Sequence, residues 1–207
     1  MNNYEKFNAL SPTAYADGLP RSQFMHPSIH ELWPRIPRIA GPAYTVRCAP
    51  GDNLMLHAAI YRAKPGNIIV VEAGSDEVAM SGGNVCAIAQ KRNITGFIID
   101  GMIRDITEVR AAQFPVFAKG CIPKPGVKET LGELQVPIHC GGVTVSPGDM
   151  IVADEEGIAV IPQSQLEQVW QIAQTRTKKD NSTSLEDWES IHHAKIERLL
   201  EKKGFKA

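Results

Sequence analysis

At 207 residues, 43% of them hydrophobic and 22% charged, the chain can form one ordinary domain with a small appendage. That composition excludes a disordered, collagenous or fibrous protein. Lys and Arg total 22 against 23 Asp and Glu, a formal charge of −1, so no global basic field recruits nucleic acid or an anionic membrane.

The longest uniformly apolar runs, 68–71 and 97–99, fall far short of the roughly 20 residues that a spanning helix needs. The opening Met1-Asn2-Asn3-Tyr4-Glu5 carries no basic-then-apolar leader. Four scattered cysteines, Cys48, Cys86, Cys121 and Cys140, form no CxxC pair and read as reduced core or near-core thiols of a cytoplasmic protein.

Residues 1–40 read as an arm with one short helix near Ser11 to Asp17. Pro34, Pro37 and Pro42 then punctuate the approach to a strand over Ala43 to Cys48. Asn53 is placed to cap a helix in which Leu54, His57, Ala58 and Tyr61 keep helical spacing. Pro65-Gly66 turns into a buried strand, Asn67 to Glu72. Val85, Ile88, Ala89 and Arg92 fit a helix over 82–92, and Thr95 to Ile99 is a second apolar strand. Asp105-x-x-Glu108 predicts a capping box opening a short helix with Ile106 and Val109, followed by a strand over Pro115 to Ala118. The series is β-α-β-α-β, for which parallel strands and right-handed crossovers are expected.

Beyond it, Val136 to His139 and Val143 to Val145 flank Cys140-Gly141-Gly142, a hairpin signal. Pro147-Gly148-Asp149 leads into a strand over Met150 to Ala153, and Asp154 to Gly157 turns into another over Ile158 to Ile161. In the tail, Ser164-x-x-Glu167 and Thr183-x-x-Glu186 predict the starts of two helices. Leu185, Trp188, His192, Ile196 and Leu199 form a stripe on the second, on which His192 is expected to be packed. The organisation is thus an arm over 1–40, a body over 41–162, and helices over 163–207 packed on that body or on a neighbouring subunit.

In an open α/β sheet, ligands bind beyond the carboxyl ends of the strands. Two segments arrive there: Ser81-Gly82-Gly83-Asn84 at a helix start, and Asp100 through Arg104-Asp105 after the neighbouring strand. Gly82 and Gly83 permit close backbone approach, and a helix start offers unpaired N–H groups to a carboxylate or phosphate. The ordinary alternatives are a turn before a helix, a capping aspartate and a surface cation. Their convergence on one rim points instead to a site, in which a divalent metal on Asp105 would free Arg104 for an anionic substrate.

These residues carry a resemblance over roughly 40–162. The landmarks are Gly51-Asp52-Asn53, Pro65-Gly66, Gly82-Gly83-Asn84-Val85, Gly96 through Arg104-Asp105, Phe114 to Ala118, Pro147-Gly148-Asp149 and Asp154 to Gly157. In them the chain resembles the class II pyruvate aldolases acting on 4-hydroxy-4-methyl-2-oxoglutarate, a family that also holds the regulator of ribonuclease activity A proteins. The resemblance implies a swivelling β/β/α fold assembled as a homotrimer or homohexamer. It also implies Mg²⁺ or Mn²⁺ on Asp105, a 2-oxo acid held by Arg104 and by the backbone of Gly82, Gly83, Asn84 and Val85, and catalysis by Arg104 and Asp105. The implied activities are retro-aldol cleavage to pyruvate and oxaloacetate decarboxylation.

One departure stands out: family members with demonstrated aldolase chemistry usually carry an aspartate where this chain has Gly83. Decarboxylation is therefore expected to outrun aldol cleavage, and Gly83→Asp to restore the latter. Glu72, Asp76, Glu77 and Asp100 are the other carboxylates near in sequence.

Weaker candidates read as structural. His192 and His193 point roughly 100° apart on a helix and do not share one ion easily. His26, His30 and His57 lack ligand-like grouping, and Lys178-Lys179 and Lys202-Lys203 suit solvated helix ends. No Ser-His-Asp order, P-loop or zinc signature is present, and no histidine suits a phosphohistidine carrier. The expected function is a metal-dependent lyase on small 2-oxo dicarboxylates; the alternative is a non-catalytic regulator that binds a ribonuclease or helicase.

Overall fold

The computed structural model describes residues 4–205. A one-turn helix α1 (Glu5–Asn8), a 3-10 helix over Pro12–Asp17 and the short strand β1 (His30–Glu31) lead into the long strand β2 (Ile39–Arg47). Then come α2 (Leu54–Ala59), β3 (Ile68–Glu72), β4 (Ala79–Ser81), α3 (Gly83–Lys91), β5 (Gly96–Ile103), α4 (Ile106–Ala111) and β6 (Val116–Cys121). The strands β7 (Glu133–Leu134), β8 (Ile138–Cys140), β9 (Val143–Val145), β10 (Met150–Asp154) and β11 (Gly157–Ile161) precede the helices α5 (Leu166–Ser182) and α6 (Leu185–Lys202).

The expected alternating unit is present, and β2 extends it: β6, β5, β3 and β2 lie side by side and parallel. Parallel strands covered on both faces need apolar side chains on both. The runs at 68–71 and 97–99 supply them and are fully buried. On the far side of β2 the sheet turns antiparallel with β10 and β11, while β1 closes the other edge against β6. Phe24 bridges to Ala159, so the two edges approach one another and the sheet nearly closes on itself. The hairpin pairs Ile138 with Val145 and Cys140 with Val143 across Gly141 and Gly142, both at positive φ, as a tight turn requires. The α/β swivelling architecture expected from the sequence is the one observed.

The arm folds as part of this body. Phe7, Tyr15 and Leu19 pack with Met150, Val152, Ala159, Ile161, Val169 and Ala173 in a second core under α5. The buried Tyr15 hydroxyl is satisfied by the Phe7 carbonyl at 2.8 Å. Cys48, Cys86 and Cys140 are buried free thiols, as read from the sequence, whereas Cys121 is exposed. Among the described residues, no helix is long and apolar enough to cross a membrane.

Several local expectations are corrected. Asn53 precedes α2 without capping it; Asp52 Oδ1 accepts the Leu54 N–H instead, at 2.7 Å. Ser164 lies inside a 3-10 turn and gives no cap to α5. The second tail cap falls one residue later than expected, with Ser184 Oγ accepting from the Asp187 N–H at 3.1 Å. The Ser184 hydroxyl in turn donates to Asp187 Oδ2 at 2.9 Å, so the pair satisfies one orphan backbone donor, that of Asp187. The α6 stripe is not packed: Leu185 is 76% exposed, and no residue of α6 is buried. His192 stacks only on Trp188, at 4.5 Å between ring centroids. A well-capped helix with acidic first and basic last turns forms from local terms, without a core partner.

Candidate functional site

The element that builds the site is β4, which alternation alone does not reveal. Three residues, Ala79 to Ser81, pair with the outer half of β5 beyond a bulge between Ile99 and Met102. The Arg104 N–H then donates to the Ser81 carbonyl at 3.0 Å. This extension sets the start of α3 directly beside Arg104 and Asp105.

Asp105 takes the left-handed conformation, φ 58° and ψ 37°, which aspartate tolerates better than most residues. The twist turns its carboxylate away from its own helix, so the expected capping box does not form. Oδ2 accepts the Gly83 N–H at 3.1 Å and lies 3.4 Å from Arg104 Nε. Gly82 is needed for this approach, since a β-carbon there would stand 2.5 Å from Asp105 Oδ2. Among the described residues, the N–H groups of Asn84 and Val85 have no acceptor, and both residues line the cleft.

Gly83, unlike its neighbours Gly82, Asn84 and Val85, does not line the cleft. A β-carbon on Gly83 would overlap Glu108 Oε2, so the Glu108 carboxylate already lies over this residue. The other nearby carboxylates are engaged elsewhere. Asp100 and Asp76 hold Lys119, Asp100 also accepts the Gly141 N–H, and Glu72 pairs with Arg47. Neither they nor Glu77 line the cleft.

The cleft has a volume of about 70 Å³, and the expected Gly82, Asn84, Val85, Arg104 and Asp105 all line it. Ala79, Pro125 and three polar wall residues, Asn53, His57 and Lys128, were not singled out from the sequence as belonging there. For Asn53 and His57 the signal was available, as positions i and i+4 at a helix start share a face. For Lys128 it was not, because a chain of long-range bonds brings it in. Asp52 Oδ2 accepts the Glu129 and Thr130 N–H groups at 2.6 and 2.7 Å, and the Asn53 N–H donates to the Val127 carbonyl. Burial, aided by the charges of Lys128 and Arg104, pulls the His57 pKa down to about 4, so the imidazole is neutral near pH 7.

Among the described residues, no three His, Cys, Asp or Glu side chains cluster as a ready-made cage for an ion. The donor set fits a hard divalent cation held by Asp105, with water and a chelating substrate completing its shell; it does not fit zinc.

The geometry can be set beside known proteins. Residues 13–160 match the family described as "RraA-like: Aldolase/RraA". A Halalkalibacterium halodurans protein named "Putative 4-hydroxy-4-methyl-2-oxoglutarate aldolase" is 42% identical over 146 residues, 70% of each chain. Streptomyces coelicolor RraAS2, described as an unusual member of the RNase ES inhibitor RraA family, superposes with a TM-score of 0.77 at 26% identity. It covers 86% of this chain and 92% of its own. The RNA-processing inhibitor RraA from Thermus thermophilis superposes with a TM-score of 0.67 at 30% identity, covering 73% and 92% respectively. With most of the nearly closed sheet inside the matched span, the chain belongs to the RraA-like family of aldolases and RraA proteins.

Proposed function

We propose that the protein is a cytoplasmic, divalent-metal-dependent lyase that releases pyruvate from small 2-oxo dicarboxylic acids. The observation that carries this reading is the junction of Asp105, Arg104 and the unpaired Asn84 and Val85 N–H groups on one cleft wall. A carboxylate for a cation, a guanidinium and two amide donors match the carboxylate and 2-oxo group of a pyruvoyl unit. The family names of relatives support the same chemistry.

Mg²⁺ or Mn²⁺ on Asp105 would supply electrophilic stabilisation of the 2-oxo group. The chain's own residues do the rest. The two N–H groups and Arg104 orient the substrate, and the Arg104 guanidinium offsets negative charge at the oxygen as it develops. In oxaloacetate the C3–C4 bond breaks, its electron pair passes to the pyruvate enolate, and CO₂ departs. A proton delivered to C3 completes pyruvate. In 4-hydroxy-4-methyl-2-oxoglutarate the same bond breaks only if the 4-hydroxyl gives up its proton, so a base is required.

Glu108 is the carboxylate nearest the place that an aspartate at position 83 would fill. Although Glu108 does not itself line the cleft, we assign it the task of organising, from beside Gly83, the water that takes the hydroxyl proton. Glu108→Gln is therefore expected to lower the ratio of aldol cleavage to decarboxylation roughly 10²-fold, the low end of what a positioned base contributes. Gly83→Asp, by contrast, must push Glu108 aside and sets two carboxylates in competition, so it should not raise that ratio. Released pyruvate, coupled to lactate dehydrogenase, measures both reactions. An unchanged ratio in Glu108→Gln removes the residue from the mechanism.

The decisive test of the whole reading is pyruvate formation from oxaloacetate, above the rate of the metal alone, with and without Mg²⁺ or Mn²⁺. Activity that depends on the ion supports the lyase. No turnover with either ion overturns it and leaves the binding role named for the structural neighbours.

A further inference from the structure

The cleft is lined in part by groups that the pyruvoyl half of a substrate does not use. Lys128 lines it, is exposed, and has no acidic partner among the described residues. Exposed lysines are common, but this one is fixed in place by its loop. Its neighbours Val127, Glu129 and Thr130 are bonded to Asp52, Asn53 or Gly51, so the backbone under Lys128 is pinned to the start of α2. Asp52 itself is 2% exposed, and its two oxygens take three backbone N–H groups, an arrangement with no freedom to drift.

Asn53, on the same wall, is 4% exposed; its Nδ2 donates to the Ala79 carbonyl at 3.2 Å while its Oδ1 has no partner. A buried acceptor left unpaired costs free energy and is uncommon unless a ligand or water completes it. His57 beside it presents a neutral ring, able to donate one hydrogen bond without adding charge. Asp105 is the single carboxylate lining the cleft, against the two cations Arg104 and Lys128. With Asp105 committed to a cation, the lining carries a surplus of positive charge from Arg104 and Lys128.

We infer that Lys128 is the specificity-determining residue for the far end of the substrate, where it takes a second carboxylate and selects 2-oxo dicarboxylic acids over monocarboxylic ones. The inference rests on the lyase reading above and adds the residue that chooses among its substrates. Asn53 and the His57 ring supply the remaining polar lining beside Lys128. A substrate ending in an alkyl group would gain nothing from the Lys128 ammonium, whereas one ending in a carboxylate gains its charge, so the preference comes from attraction at that end.

Pyruvate itself separates the two ends of the cleft. It has the carboxylate and 2-oxo group of the inner end and no second carboxylate, and its enolisation is read as exchange of the C3 hydrogens for deuterium by NMR. The experiment compares kcat/KM for oxaloacetate with the rate of pyruvate exchange, both with Mg²⁺, in wild type, Lys128→Met and Lys128→Arg. In Lys128→Met the ratio of the first to the second is expected to fall at least about tenfold, chiefly through KM, with most of it recovered in Lys128→Arg. Circular dichroism checks the fold, which an exposed side chain does not hold together. An unchanged ratio, or equal recovery by Met and Arg, overturns the inference while leaving the lyase reading intact. A wild-type protein that neither exchanges pyruvate nor decarboxylates oxaloacetate overturns both.

Discussion

Asp105→Ala is expected to lower metal-dependent release of pyruvate from oxaloacetate by roughly 10³-fold, the scale of the several kcal/mol that a bound cation contributes to a developing enolate. Among the described residues Asp105 is the single carboxylate lining the cleft, and Glu108 lies over Gly83 outside that lining. The substitution also removes the bond from the Gly83 N–H, worth about 1 kcal/mol to the fold. Asp105→Asn separates the two effects. Its amide oxygen still accepts from Gly83, but its charge is gone, so it should fold like the wild type and be nearly as inactive as the alanine variant. Thermal melts and oxaloacetate turnover, measured on both variants, check this. Full activity in the folded Asn variant would remove Asp105 from the site.

The second large effect belongs to Arg104. Its Nε lies 3.4 Å from Asp105 Oδ2, and its side chain is 44% exposed, so the guanidinium is tethered at one edge with its remaining donors open to a ligand. Lysine keeps the charge but loses the planar fork that meets a carboxylate or enolate oxygen with paired donors. Arg104→Lys is expected to lose about 2–4 kcal/mol of transition-state stabilisation, or roughly 10²-fold or more in kcat, as when one oxyanion donor is removed. The division between kcat and KM decides the role. A fall in kcat marks an interaction strengthened as the enolate forms, whereas a rise in KM alone marks uniform substrate binding.

How much of this was legible beforehand depends on the range of the interactions involved. The apolar runs at 68–71 and 97–99 and the turns at Pro65-Gly66 and Gly141-Gly142 are local signals, and each gave the element that formed. Burial on both faces leaves a parallel strand no polar positions, so such strands announce themselves in one dimension. The motif ending in Arg104-Asp105 was legible for the same reason: its glycines and its charged pair are contiguous. The arm and α5 were harder, because Phe7, Tyr15 and Val169 meet only after the chain has turned back on itself.

The amino-acid sequence by itself determined, through local patterns, the α/β class, the strand-forming segments and the two segments that meet, Gly82-Gly83 and Arg104-Asp105. The tertiary structure alone decided what surrounds that meeting. It added β4, a three-residue strand too short to carry periodicity, which exists because the extended end of β5 offers it a partner. It turned Asp105 into the left-handed region and laid Glu108 over Gly83, undoing a capping box that local propensity favours. It brought Lys128 to the cleft through the buried Asp52 carboxylate, across 76 positions of chain between Asp52 and Lys128 (128 − 52). Hydrogen bonds to a buried carboxylate act through space and leave no periodic trace in the sequence, so these parts of the site became visible only in the folded chain.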